Sequence, residues 1–178
     1  MPGNAFIAFS KDKVLNFDSK SLKGTAVEGE STQPGYESWI DITDWSWDVE
    51  AEHSVTKGQG AAVGKPQPGV LSFSTFYNTS SPVLLGNMVK GVHFKSACLV
   101  MCKQTGEAKP EAYFWIVMKD VFTTKVANKG AEDGTVGQDI DIVCKEIEVY
   151  YKKQSDTGIL DTSPKPFGWH IGRNEVTK

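Results

Sequence analysis

An antiparallel all-β sandwich or barrel with one short helix is the fold class this sequence predicts, on three observations. Short runs of alternating apolar and polar residues recur along the chain, Gly, Pro, Asn and Asp cut them to strand length, and only one stretch carries a helical apolar stripe. The 178 residues are 39% hydrophobic and 23% charged, which suits one soluble globular unit over residues 1–178. A chain of this length buries roughly 70% of the surface its unfolded form exposes, so a core needs neither disulfide nor metal.

Ala5-Phe6-Ile7-Ala8-Phe9 reads as the first strand. Residues 10–23 are polar and lysine-rich and read as a surface excursion, a tolerated insertion, before the chain resumes over 24–30. Over 37–50, Trp39, Trp45, Trp47 and Val49 share odd parity, which predicts one long strand with an aromatic face and a bulge near Asp44. Residues 54–69 hold six Gly or Pro, two Lys and only small apolar side chains, too little to bury, and predict a long mobile loop. Strand character returns over 70–77.

The helix opens at Ser81 as N-cap with Pro82 at the first helical position, carries Leu84, Leu85, Met88 and Val89 as its stripe, and stops at Gly91. About nine residues are marginal alone in water, so packing on the sheet must hold it. Three long strands follow at 93–103, 112–124 and 138–151, with a turn-rich loop over 128–137. In the last strand apolar residues keep even parity at Ile140, Ile142 and Cys144 and odd parity at Ile147, Val149 and Tyr151, which predicts a bulge or side change near Lys145 and Glu146. Pro164 to Trp169 reads as an extended arm, with Phe167 and Trp169 as its apolar contacts.

Nineteen Lys+Arg against 22 Asp+Glu give a net charge of −3, without the basic excess that nucleic-acid binding draws on. The start of the chain lacks the basic and apolar segments of a secretory signal, and no stretch approaches the ~20 apolar residues of a membrane helix, so cytosolic synthesis without membrane insertion is expected. Cys98 and Cys102, four residues apart in one strand, would be ~13 Å apart and cannot bridge. They and Cys144 read as small buried hydrophobes.

No catalytic, cofactor or metal signature is found. Gly58-x-Gly60-x-x-x-Gly64 approaches a dinucleotide fingerprint, but Pro66 and Pro68 stand where the phosphate-binding helix would begin. His53, His93 and His170 are scattered without metal-ligand spacing. Glu132-Asp133-Gly134 lacks the alternating carboxylates of a calcium loop. Asp139 and Asp141 project to one side of a strand, which fits a solvated face; a hydrolase reading would need a cleft and a second acid. Trp39, Trp45, Trp47 and Trp115 fit either a core or the lining of a ligand cavity, the latter as in a small-ligand-binding β-barrel carrier.

Gly29-Glu30-Ser31-Thr32, Trp45-Ser46-Trp47, a glycine-rich loop, Ser81-Pro82 opening a short helix, Gly91-x-His93 and Gly168-Trp169-x-Ile171-x-x-Asn174 occur in that order. This series resembles the haemolysin-coregulated protein (Hcp) family, tube subunits of bacterial type VI secretion, from about Ala5 to Asn174. The resemblance implies a closed antiparallel two-sheet β-barrel with a flanking helix over about residues 4–152, related to phage tail tubes, and a C-terminal arm over 153–178. It also implies a non-enzymatic structural role without cofactors: a homohexameric ring, rings stacked into a tube, and effectors carried in the lumen. Implied partners are a spike protein of the VgrG type, the contractile sheath, baseplate components and effectors. Assembly in the bacterial cytoplasm and type VI secretion without a signal peptide follow. By the same resemblance Ser46 contacts cargo in the lumen, and Ser54, Lys57, Gly58, Gly60, Gly64, Lys65 and Pro66 belong to a loop that reaches the adjoining ring or subunit. The 10–23 excursion departs from the family, whose usual turn there is short.

Overall fold

A computed structural model describes residues 4–19, 22, 27–54, 62–106 and 108–178. The described strands are β1 (Ala5–Ser10), β2 (Ile40–Asp41), β3 (Asp44–Ser46), β4 (Val49–Glu50), β5 (His53–Ser54), β6 (Ala62–Val63), β7 (Gln67–Pro68), β8 (Leu71–Phe76), β9 (Phe94–Lys103), β10 (Glu111–Gly130), β11 (Val136–Tyr151), β12 (Lys165–His170) and β13 (Glu175–Val176). One helix, α1 (Ser81–Lys90), completes the set.

All-β with one helix is what forms, but the sheet does not close into the expected barrel. Its hydrogen-bonded order is the open path β13-β12-β11-β10-β9-β1-β2, with β8 branching from β11 and β3 pairing β8. The cause lies in the segment read as one long strand from 37 to 50. It breaks into three pieces: β2 pairs only β1, and β3 pairs only β8. Between them the chain steps from one ladder to the other, Ile42 N–H donating to Ala5 O and Thr43 N–H to Ser74 O. The two ladders have three residues or fewer each, too short to seal the sheet. The tryptophans of this segment consequently do not share a face.

The inner core lies between the two layers of sheet and holds Ile7, Phe9, Phe73, Leu84, Phe94, Leu99, Ile116, Ile140 and Ile147. Ile140, Ile142 and Ile147 all face it although their parity differs, so the expected side change at Lys145 and Glu146 is present. Opposite, Asp120 takes a left-handed φ of 52°, and β10 changes side in step: Val117 belongs to the outer cluster and Val121 to the inner core. The pairs Lys119–Glu146 and Val121–Cys144 keep one register across this point. The loop expected over 128–137 is shorter, because β10 and β11 stay paired to Gly130 and Val136.

In its described part the 10–23 excursion is exposed along much of its length but is seated on the sheet by two buried leucines. Leu15 and Leu22 are fully buried on the outer face of β1, β9 and β10, in a second core with Phe6, Cys98, Val100, Trp115, Tyr36 and Trp39. Ser96, buried on β9, fixes it by accepting from Leu15 N–H and donating to Lys13 O, both at 2.8 Å. Phe17 packs tilted against Trp115 with ring centres 4.3 Å apart, and Trp115 stacks on Tyr150 at 5.2 Å. The polar composition misleads because two leucines among many polar residues suffice to seat a loop.

Helix α1 starts at Ser81 with Pro82 in its first turn and ends at Gly91, whose φ of 67° lets its N–H reach the last carbonyls. Its buried face is Ser81, Leu84 and Asn87, while Val89 is exposed, so the stripe is rotated from the one expected. The described parts of the 54–69 loop pair back on the residues before it as an antiparallel ribbon, β7 on β4 and β6 on β5. All three cysteines are free thiols, and burial pushes Cys102 up to about 11 and Cys144 up to about 12.

Candidate functional site

Strand alternation builds a polar face on β3, β8 and β11. Trp45, Phe73 and Ile140 pair across the three strands and turn toward the inner core. Their neighbours must then point the other way. Two cross-strand rows result, Asp44–Ser74–Asp139 and Ser46–Ser72–Asp141, the second continuing to Lys125 on β10. Ser72 Oγ donates to Asp141 Oδ1 at 2.5 Å and Ser74 Oγ to Asp139 Oδ1 at 2.6 Å. Ser46 itself is exposed.

These carboxylates lie on an open sheet face, each satisfied by a serine. That arrangement orients hydroxyls and negative charge toward solvent, as a contact surface does. Asp139 and Asp141 line none of three open clefts, of about 430, 480 and 340 Å³, found elsewhere on the molecule. Trp39, Trp45 and Trp47 likewise line none of these three clefts together. Trp39 sits in the outer core, Trp45 stacks on Phe114 at 5.5 Å beside the inner core, and Trp47 lines the 480 Å³ groove. Among the described residues no group of three or more His, Cys, Asp or Glu is placed to hold a metal ion. No described helix is long and apolar enough to cross a membrane.

The loop residues singled out from the sequence lie apart from Ser46, along the ribbon that begins three residues after it. Ser54 pairs Ala62 at the β5–β6 rung, Gly64 N–H donates to Glu52 O at 2.7 Å, Lys65 is exposed and Pro66 lines the groove with Trp47. Lys57, Gly58 and Gly60 lie outside the described residues. Asp44, Ser72 and Ser74 were not singled out; the alternation Leu71-Ser72-Phe73-Ser74 signals their face, but only the register puts them beside Ser46.

Residues 18–155 match the family model described as "Type VI secretion system effector, Hcp". The chain belongs to the Hcp family. It is 31% identical over 150 residues to protein hcp1 of Pseudomonas aeruginosa, covering 83% of this chain and 91% of that one. Among solved structures, a type six secretion system protein superposes with a TM-score of 0.80 at 24% identity, covering 97% of this chain and 98% of its own. Hcp1 from Salmonella typhimurium gives 0.71 at 20% identity, covering 98% and 99%. The last two likenesses concern the fold. As an Hcp-family member the chain is a tube protein of type VI secretion and is secreted by that system.

Proposed function

We propose that six copies close into a ring through head-to-tail contacts, that rings stack into the secretion tube, and that the Ser46 face lines the lumen and touches effector cargo. A heterologous contact repeated with a closing rotation gives such a ring. Residues 1–178 act as one unit in it, with no catalytic site or cofactor, and the loop over 54–69 reaches the adjoining ring or subunit. Spike, sheath, baseplate and effector proteins are its partners, and assembly in the bacterial cytoplasm precedes export by type VI secretion. The observation that supports this best is the uncovered serine–aspartate face, set on the far side of the inner core from the face that the excursion covers.

Light scattering coupled to size exclusion tests the ring: a sixfold mass is expected, and a monomer at all concentrations would overturn it. Ser46→Arg then tests the face. It should leave the ring mass unchanged and lower cargo retention, whereas equal retention would remove Ser46 from the lumen surface.

A further inference from the structure

We infer that residues 175–178 form a releasable strap across the edge of β12, anchored through Lys178 to Glu148, and that its release opens the apolar groove beside the ribbon. This is independent of ring formation.

Gly168 explains the route. It stands opposite Glu148 in the β11–β12 register, where any other residue would present a side chain over β11. A Cβ there would meet Thr177 Oγ1 first and then Cβ and Cγ of Lys178 at 3.2 Å, so the missing side chain is the gap that Thr177 fills and along which Lys178 crosses β12. Its Nζ reaches Tyr150 OH at 2.7 Å and Glu148 Oε1 at 3.1 Å. Glu148 is 6% exposed, receives Tyr150 OH at 2.8 Å and also pairs with Lys119 at 3.2 Å. The anchor is thus a buried carboxylate that keeps a cation when Lys178 leaves.

The rest of the strap is lightly held. Thr177 N–H donates to Gly168 O at 2.8 Å, Lys178 O accepts from Gly168 N–H at 3.3 Å, and the ladder adds only Trp169–Val176 and His170–Glu175. Val176 is 67% exposed, yet with Asn174 it walls the groove that holds Trp47, Phe167 and Trp169. Loss of the strap removes that wall and uncovers Trp169.

Hydrogen exchange on the full chain tests this. Lys178→Ala removes a side chain that is 43% exposed and leaves the Lys119–Glu148 pair in place, so the fold stays intact. We expect exchange at the amides of Gly168 and Thr177 to speed up about tenfold with β1 and β9 unchanged, since a lost charge-assisted contact moves a local opening equilibrium by that order. Acrylamide quenching of tryptophan should rise in parallel. Gly168→Ala, which blocks the crossing, should reproduce both effects. Salt near 0.5 M should loosen the strap in the unmodified protein by screening, and have no further effect in Lys178→Ala. Unchanged exchange over Gly168 and Thr177 in Lys178→Ala would overturn the proposal.

Discussion

The inner and outer cores are separated by one sheet, but they are assembled differently. The inner core is strand on strand: Phe9, Phe73, Phe94 and Ile140 come from β1, β8, β9 and β11, and their positions follow from alternation. The outer core is strand under loop: Leu15, Leu22, Tyr36 and Trp39 come from segments with little regular structure, held by side-chain contacts and the Ser96 hydroxyl. Regular pairing fixes one side, whereas a few anchors fix the other.

The largest expected effect separates the two. Phe73→Ala, which empties a site that is 1% exposed, should cost about 3–5 kcal/mol in urea denaturation, while Leu15→Ala should cost about 2 kcal/mol because the excursion can settle into the space. Equal costs would show that both cores are equally rigid. Ser96→Ala should be milder, about 1–2 kcal/mol, by leaving Leu15 N–H and Lys13 O without their partner, and limited proteolysis should then cut first near residues 10–19.

Acid gives the smallest and most local effect. Burial raises the Glu148 carboxyl, but Tyr150, Lys178 and Lys119 together hold it below its ordinary range. Its folded-state affinity for a proton is therefore lower than in the unfolded chain, so its stabilisation is full above the ordinary carboxylate value and is lost as pH falls below that value through the lower folded one. Solvent screening keeps the size modest. Denaturation at about pH 7 and about pH 4 should show a loss that Glu148→Gln partly removes, and an unchanged loss would exclude Glu148 as its source.

Much of the inner core was legible. Alternation located β8 and β11, the parity switch located the side change at Lys145 and Glu146, and Gly91 ended the helix. Ala5 to Phe9 was legible as a strand, but nothing in it named what covers its outer face. That cover depends on Leu15 and Leu22, two leucines in a polar stretch, which composition cannot distinguish from surface. The split of 37–50 was hidden for a related reason: which neighbour each piece pairs with is a long-range choice. At the candidate site the serine and aspartate alternation was visible in each strand, and only register assembled it into one face.

The pairing of β1 with β9 also has a consequence for biosynthesis. Ala5 faces Met101, and Ser10 faces Ser96, so β1 pairs with a strand synthesised some ninety residues later. At ~5–20 residues per second that wait is on the order of ten seconds, during which Ala-Phe-Ile-Ala-Phe has only the two residues of β2 as a partner strand. Such an uncharged segment invites pairing with another nascent chain. Lys11, Asp12 and Lys13 follow it at once, exposed in the folded protein, and serve as gatekeepers against aggregation until β9 arrives.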